Sequence, residues 1–186
     1  AMLEKQLSRA VFLDLIRSRR VARAFSDEPV SEEMLWQILE MARWAPAASN
    51  RRMQRYICIT DRTLIDQIRL VSPGMGGLPT ALIVICVDWG IAGFEAYDRS
   101  YRNTYIDVGT AAENMLLAAH ALGLGAWPMT SFSVPAVVEL LNISPPLRPE
   151  MFIGLGHPAT APAKPAGRAR PKTTLRIEDL VQWGVQ

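Results

Sequence analysis

A mixed β-sheet covered by helices, of the α+β class, is the architecture this sequence predicts, on three observations. Helix-like and strand-like segments alternate in the order helix, helix, strand, helix, strand, helix, strand, helix, strand, tail. The run "TALIVICVD" at 80–88 is apolar on both faces, as a strand at the centre of a sheet must be. The 186 residues, 49% hydrophobic and 20% charged, suffice for a full core and are too apolar for a disordered chain. No internal repeat or interior linker interrupts them, so residues 1–186 are expected to form one domain.

The elements follow in order. Residues 9–18 place Val11, Phe12, Leu15 and Ile16 at helical spacing. After Pro29, Ser31 is suited to cap a second helix, with Glu32 and Glu33 in its positive first turn and Pro46 ending it. Its buried stripe is Met34, Leu35, Ile38, Leu39, Met41 and Ala42. "RYICIT" at 55–60 reads as a strand, 62–71 as a short helix, and "SPGMGGLP" as a loop. Residues 89–105 gather Trp89, Phe94, Tyr97, Tyr101 and Tyr105, and could form a flap or a local packed cover. A long helix from Asn103 carries a small-residue face of Ala111, Ala112, Ala118 and Ala119 and ends at Gly123 or Gly125. "GAWPMT" is a short strand, Ser133 caps a helix with Pro135 near its start, and "EMFIGLGHP" is the last strand. The Pro- and Ala-rich remainder ends in a patterned segment, Leu175, Ile177, Leu180, Val181 and Trp183, suited to packing on a partner subunit.

Composition excludes several functions. The net charge of +2 gives a nucleic-acid interface no support, and no known binding motif accompanies the arginines. Cys58 and Cys86 form no CxxC pair and lie in apolar runs, so both are expected to be buried, reduced thiols of a cytoplasmic protein. No metal-ligand spacing is present, and His120 and His157 join no triad. "GLGLGA" follows a helix and opens a strand, the reverse of a dinucleotide-binding fingerprint.

The arginines are harder to dismiss. Seventeen of the 20 basic residues are arginine, whose rigid fork suits phosphate. Arg19, Arg20 and Arg23 fall at the junction of a helix and an extended stretch, and Arg168 and Arg170 lie far away in the tail. Taken alone, the first group reads as a solvated helix end. Two arginine groups so far apart in sequence suggest instead a small phosphate held between segments. Arg17 remains a helix-end cation.

At this point a resemblance appears. Arg19-Arg20-Val21-Ala22-Arg23-Ala24-Phe25, then Pro29-Val30, then Ala45-Pro46-Ala47-Ala48-Ser49-Asn50 resembles the opening of the FMN-dependent nitroreductase family. "DVGTAAENMLLAAHALGLGAWPM" resembles its central helix and following strand, and "FIGLGHPATAPAKPAGRARPKTTLRIEDLV" its last strand and phosphate-binding tail. The resemblance implies an intertwined homodimer with FMN at the interface and tails 160–186 exchanged between subunits. It implies phosphate and ribityl contacts from Arg19, Arg20, Val21 and Arg23, with Arg168 and Arg170 from the tail. Pro46, Ala47, Ala48, Ser49 and Asn50 would lie beside the flavin, and Thr130 and Ser131 would face its N5 and O4 edge. Arg23 is the candidate cation for the reduced flavin's N1 and O2; no other catalytic residue is expected, and no metal.

The implied reaction is ping-pong hydride transfer from NAD(P)H through flavin N5 to a nitroaromatic, a quinone or a similar acceptor. Arg52, Tyr97 and Tyr101 are candidate substrate contacts. Six positions depart from the family pattern: Val21 for Ser, Ala47 for Ser, Arg52-Met53-Gln54 for Gln-Pro-Trp, and Thr130 where some members carry Glu. They leave two alternatives open: a specialised FMN enzyme (dehydrogenase, reductive dehalogenase or flavin-modifying) and a flavin-binding protein without turnover.

Overall fold

The computed structural model describes residues 2–92, 102–159 and 176–184. Five helices and four strands follow the expected order: α1 (Met2–Ser18), α2 (Glu32–Arg43), β1 (Gln54–Ile59), α3 (Arg62–Leu70), β2 (Ala81–Asp88), α4 (Arg102–Ala121), β3 (Gly125–Met129), α5 (Val134–Leu140) and β4 (Leu147–Gly156). The four strands form one sheet in the order β1-β2-β4-β3. Every ladder is antiparallel. The parallel component among the described residues is one bridge, Val21 to Ala126, beside β3.

β2 explains the two-layer architecture. Its seven residues Ala81–Val87 are fully buried, so both faces need covering. Ile83, Ile85 and Val87 pack with Leu35 and Ile38 of α2 and Val108, Ala111 and Met115 of α4. Leu82, Val84 and Cys86, on the opposite face, pack with Ile65 and Ile68 of α3 and Val137 of α5. Side chains alternating across the pleat thus feed two cores, with the large α2–α4 layer on one side.

The helix ends obey local chemistry. Ser31 Oγ accepts from the Met34 amide at 3.3 Å, and α2 closes at Trp44, two residues before Pro46. Asp61 caps α3 in the same way, accepting from Leu64 at 2.7 Å. Gly123 adopts φ +77°, a left-handed turn that frees its amide for His120 and the Leu124 amide for Ala119. The expected cap of α5 differs: Ser133 holds the cap position, but its hydroxyl takes no capping bond.

Two other expectations change. Cys86 is buried, and its desolvated thiol is pushed up to about 12. Cys58 is exposed, because among the described residues β1 is an edge strand with β2 on one side only. The aromatic segment divides: Trp89 is buried edge-on to Tyr105, with ring centroids 6.3 Å apart, whereas Phe94, Tyr97 and Tyr101 lie outside the described residues.

Candidate functional site

The arginine stretch begins where α1 ends. Arg19 reaches α4, its Nε 3.5 Å from Glu113. Arg20 turns back, its Nη1 donating to the carbonyls of Arg17 at 2.6 Å and Arg19 at 2.8 Å. It thereby satisfies carbonyls that the helix end leaves open. The chain then runs extended along the ends of β3 and β4. Ala22 donates to the Ala126 carbonyl, Ser26 to that of His157, and Ala159 to that of Ala24. Val21, 45% exposed, sits at the bridge to Ala126 with its side chain outward. Arg23 lies over the Trp127 ring, 5.3 Å from its centroid.

A glycine loop joins this stretch to the end of β3. A Cβ on Gly77 would stand 2.0 Å from the Arg23 carbonyl oxygen, so only glycine allows this backbone-to-backbone approach. Gly74 donates to the Ser131 carbonyl at 3.2 Å. Loop 74–77 therefore touches Arg23 at one end and Ser131 at the other. Thr130 and Ser131 are exposed just past β3, as are Arg20 and Arg23. The structure thus brings Arg23 and Ser131, with Thr130 next in the chain, to one loop. Neither Arg20 nor Arg23 has a carboxylate partner among the described residues.

The Pro46–Asn50 loop is built differently. Ser49, Asn50 and Arg52 all carry positive φ, +52°, +53° and +49°, without a glycine among them. Such conformations cost about 1–3 kcal/mol each and persist only where neighbours hold them. The holder is α4. Asp107, 7% exposed, accepts from the Ala48 amide through both carboxylate oxygens, at 3.0 and 3.1 Å. Thr110 Oγ1 donates to the Pro46 carbonyl at 3.2 Å, and Asn114 Nδ2 to the Met41 carbonyl at 3.0 Å. Thr104, also buried, meets the Met53 sulfur at 3.9 Å.

Sequence reasoning missed these anchors. Their trace is readable afterwards: Thr104, Asp107 and Thr110 recur every three residues and form a polar stripe on an otherwise Ala-rich helix. No hydrogen bond or ion pair among the described residues joins loop 46–50 to the arginine stretch; both lean on α4. Arg52 leaves the loop with its Nε on Asn50 Oδ1 at 2.9 Å and its Nη1 on the Arg43 carbonyl. Arg168, Arg170, Tyr97 and Tyr101 lie outside the described residues. Neither histidine enters the site: His120 meets Ser18 Oγ at 2.9 Å, and His157 lies 3.8 Å from Glu28.

Comparison with known proteins decides the family. The model of the Nitroreductase family matches residues 16–73 and 72–157. This chain belongs to the nitroreductase family. It is 32% identical over 171 residues to a Methanothermobacter thermautotrophicus protein provisionally named an NADH dehydrogenase/NAD(P)H nitroreductase, covering 86% of this chain and 84% of that one. It is 27% identical over 165 residues to the FMN reductase [NAD(P)H] of Bacillus subtilis, covering 80% of this chain and 66% of the relative. Among solved nitroreductase structures, one from Parabacteroides distasonis superimposes with a TM-score of 0.73 at 25% identity, over 93% of this chain and 98% of that chain. The α+β sheet and its helical layers are therefore the nitroreductase fold. The arginine stretch, the Pro46–Asn50 loop and the α4 anchors all fall inside the matched residues.

Proposed function

We propose that this nitroreductase-family chain is an FMN-dependent oxidoreductase. It takes hydride from NADH or NADPH and passes the reducing equivalents to a small electron-poor acceptor such as a nitroaromatic or a quinone. The observation that carries this reading is the exposed pair Arg20 and Arg23, cations without a carboxylate partner among the described residues, of which Arg23 meets loop 74–77 and through it exposed Ser131, next to Thr130. The donor set fits a phosphorylated flavin. Guanidinium forks suit a phosphate, and hydroxyl and amide donors suit the polar edge of an isoalloxazine.

When bound, the flavin supplies the hydride-accepting chemistry. The chain's own residues hold and tune it. Arg19, Arg20 and Arg23, with Arg168 and Arg170 from the tail, would bind the phosphate and ribityl chain. Arg23 would also offset negative charge at the flavin's N1 and O2, where its position against Trp127 limits its rotation. Pro46–Asn50, pinned by Asp107 and Thr110, would form a fixed wall beside the ring. Thr130 and Ser131 would present their hydroxyls to the N5 and O4 edge. No proton-transfer dyad is needed. Donor and acceptor would occupy one place in turn, which makes the kinetics ping-pong.

α1 leaves large apolar side chains exposed: Val11 is 65% exposed and Phe12 56%. In the tail, Trp183 is 92% exposed. A homodimer with exchanged tails would cover these side chains and complete the cradle. Residues 1–186 would form one domain of a cytoplasmic enzyme; among the described residues no helix is long and apolar enough to cross a membrane.

Anaerobic titration tests the reading. The purified protein should show an FMN visible band that NADH or NADPH bleaches and a quinone restores. Double-reciprocal plots against both substrates should be parallel. A colourless protein that FMN does not reconstitute overturns the flavin assignment. A band that dithionite bleaches and neither nicotinamide does would instead establish a flavin-binding protein without turnover.

A further inference from the structure

Beside the candidate flavin wall, on the side of α2 and β1, lies a second basic feature. A recess of about 210 Å³ is lined by Arg43, Arg52 and Arg55, with Ala47, Gln54 and Tyr56 among its other walls. Three of its lining residues are arginines and none is acidic. Glu40 and Asp88 stand outside the lining and neutralise part of the charge. Arg43 donates to Glu40 through both Nε, at 2.8 Å, and Nη2, and Arg55 places Nη2 3.6 Å from Asp88 while its Nη1 donates to the Arg52 and Gln54 carbonyls at 3.0 and 2.9 Å. Arg52 has no such compensation among the described residues, for it donates to the Asn50 amide oxygen and the Arg43 carbonyl, both neutral. The backbone holds Arg52 there in a left-handed conformation at φ +49°, with Ser49 and Asn50 similarly bent. Strain of this kind concentrates at ligand clamps and active sites. Tyr56 adds a neutral donor: burial pushes its hydroxyl up to about 12, so it keeps its proton at neutral pH.

We propose that the Arg43–Arg52–Arg55 recess binds a phosphate group, free or as a monoester. The volume is below the roughly 300–1,000 Å³ of sites that enclose whole drug-sized ligands, so it suits one anionic group of a larger molecule or a free anion. The Arg52 guanidinium, without a carboxylate among the described residues and flanked by two further arginines, suits the oxygens of a phosphate group. Ala47 belongs both to this recess and to the loop assigned to the flavin wall. The chemistry has two sources: the 2′-phosphate that distinguishes NADPH from NADH, and inorganic phosphate. The first rests on the flavin reading above; the second does not.

Calorimetric titration of the FMN-loaded protein, in phosphate-free buffer at low salt, tests the site and separates its sources. The probes are adenosine 2′,5′-bisphosphate, adenosine 5′-monophosphate and inorganic phosphate. If the dinucleotide is the source, the bisphosphate binds at least tenfold more tightly than the monophosphate. Arg52→Gln and Arg55→Gln then each weaken it fivefold or more, whereas Arg62→Gln on α3 does not. Inorganic phosphate binding with the same arginine dependence, and no preference for the bisphosphate, supports the site with free phosphate as its ligand. The proposal is overturned if none of the three binds, or if affinities are equal in wild type, Arg52→Gln and Arg55→Gln. Thermal midpoints and the FMN band are read on every variant. Should Arg52→Gln fail to fold, Arg55→Gln on β1 and Arg52→Lys carry the comparison. Probe heat and flavin colour are independent signals, so failure of the anion site and failure of the flavin assignment are told apart.

Discussion

Two loops flank the candidate site and solve the same problem in opposite ways. Loop 74–77 brings backbone against backbone by having no side chain: Gly77 meets the Arg23 carbonyl where a Cβ would stand at 2.0 Å. Loop 46–52 has no glycine and bends Ser49, Asn50 and Arg52 into left-handed conformations, held from outside by Asp107 and Thr110 of α4. The first loop depends on steric space and the second on hydrogen bonds. A wrong residue should therefore break the first by collision and the second by release.

The largest effect should come from Gly77→Ala. Its Cβ collides with backbone, which cannot rotate away, so the loss should reach or exceed the upper end of the roughly 1–3 kcal/mol that overpacking costs. Chemical denaturation measures it, and a midpoint equal to wild type would show that the loop can move aside. Asp107→Ala comes next. It removes the acceptor of the Ala48 amide and should cost about 1–3 kcal/mol, with weaker FMN retention, whereas Gly77→Ala should also disturb Arg23. Equal FMN affinity in Asp107→Ala and wild type would detach loop 46–50 from the flavin.

A third effect is read from pH. Burial raises Tyr56 from 10.0 to about 12 and Cys86 from 9.0 to about 12. For both groups the unfolded chain loses its proton first. Their contribution is therefore complete below pH 9, and stability falls between about pH 9 and 12. Cys86→Ala and Tyr56→Phe should each flatten that alkaline slope. An unaltered slope in both would assign alkaline loss to other groups. The smallest effect should come from Ser49→Gly, which relieves one left-handed position and should raise stability by up to about 1 kcal/mol. A fall in thermal midpoint would mean that the Ser49 conformation is not strained.

The fold was largely legible because its signals are local. Ser31 with Glu32 and Glu33 marked the start of α2, Pro46 marked its end, and Gly123 turned α4 toward β3. The unbroken apolar run of β2 announced a strand covered on both faces. Strand order was not legible, since pairing is set by contacts far apart in sequence. For the same reason Cys58, in an apolar run that resembles the one around Cys86, turned out exposed on an edge strand. The candidate site divides likewise. Arg19, Arg20 and Arg23 stood out as a cluster, and Arg23 and Ser131 meet the same loop, 74–77. The anchor of Ala48 lies 59 residues away on α4, and a single acid in a helix does not name its partner.

The central claim is that the arginine stretch and the end of β3 form a cradle for FMN phosphate and flavin edge. FMN affinity of Arg23→Ala, measured by fluorescence quenching beside Arg17→Ala, tests it most directly. Removing a charge-assisted phosphate contact worth about 1.5–3 kcal/mol should weaken binding tenfold or more in Arg23→Ala. Arg17→Ala, outside the cradle, should bind as the wild type does. Equal affinities in all three proteins would contradict the account.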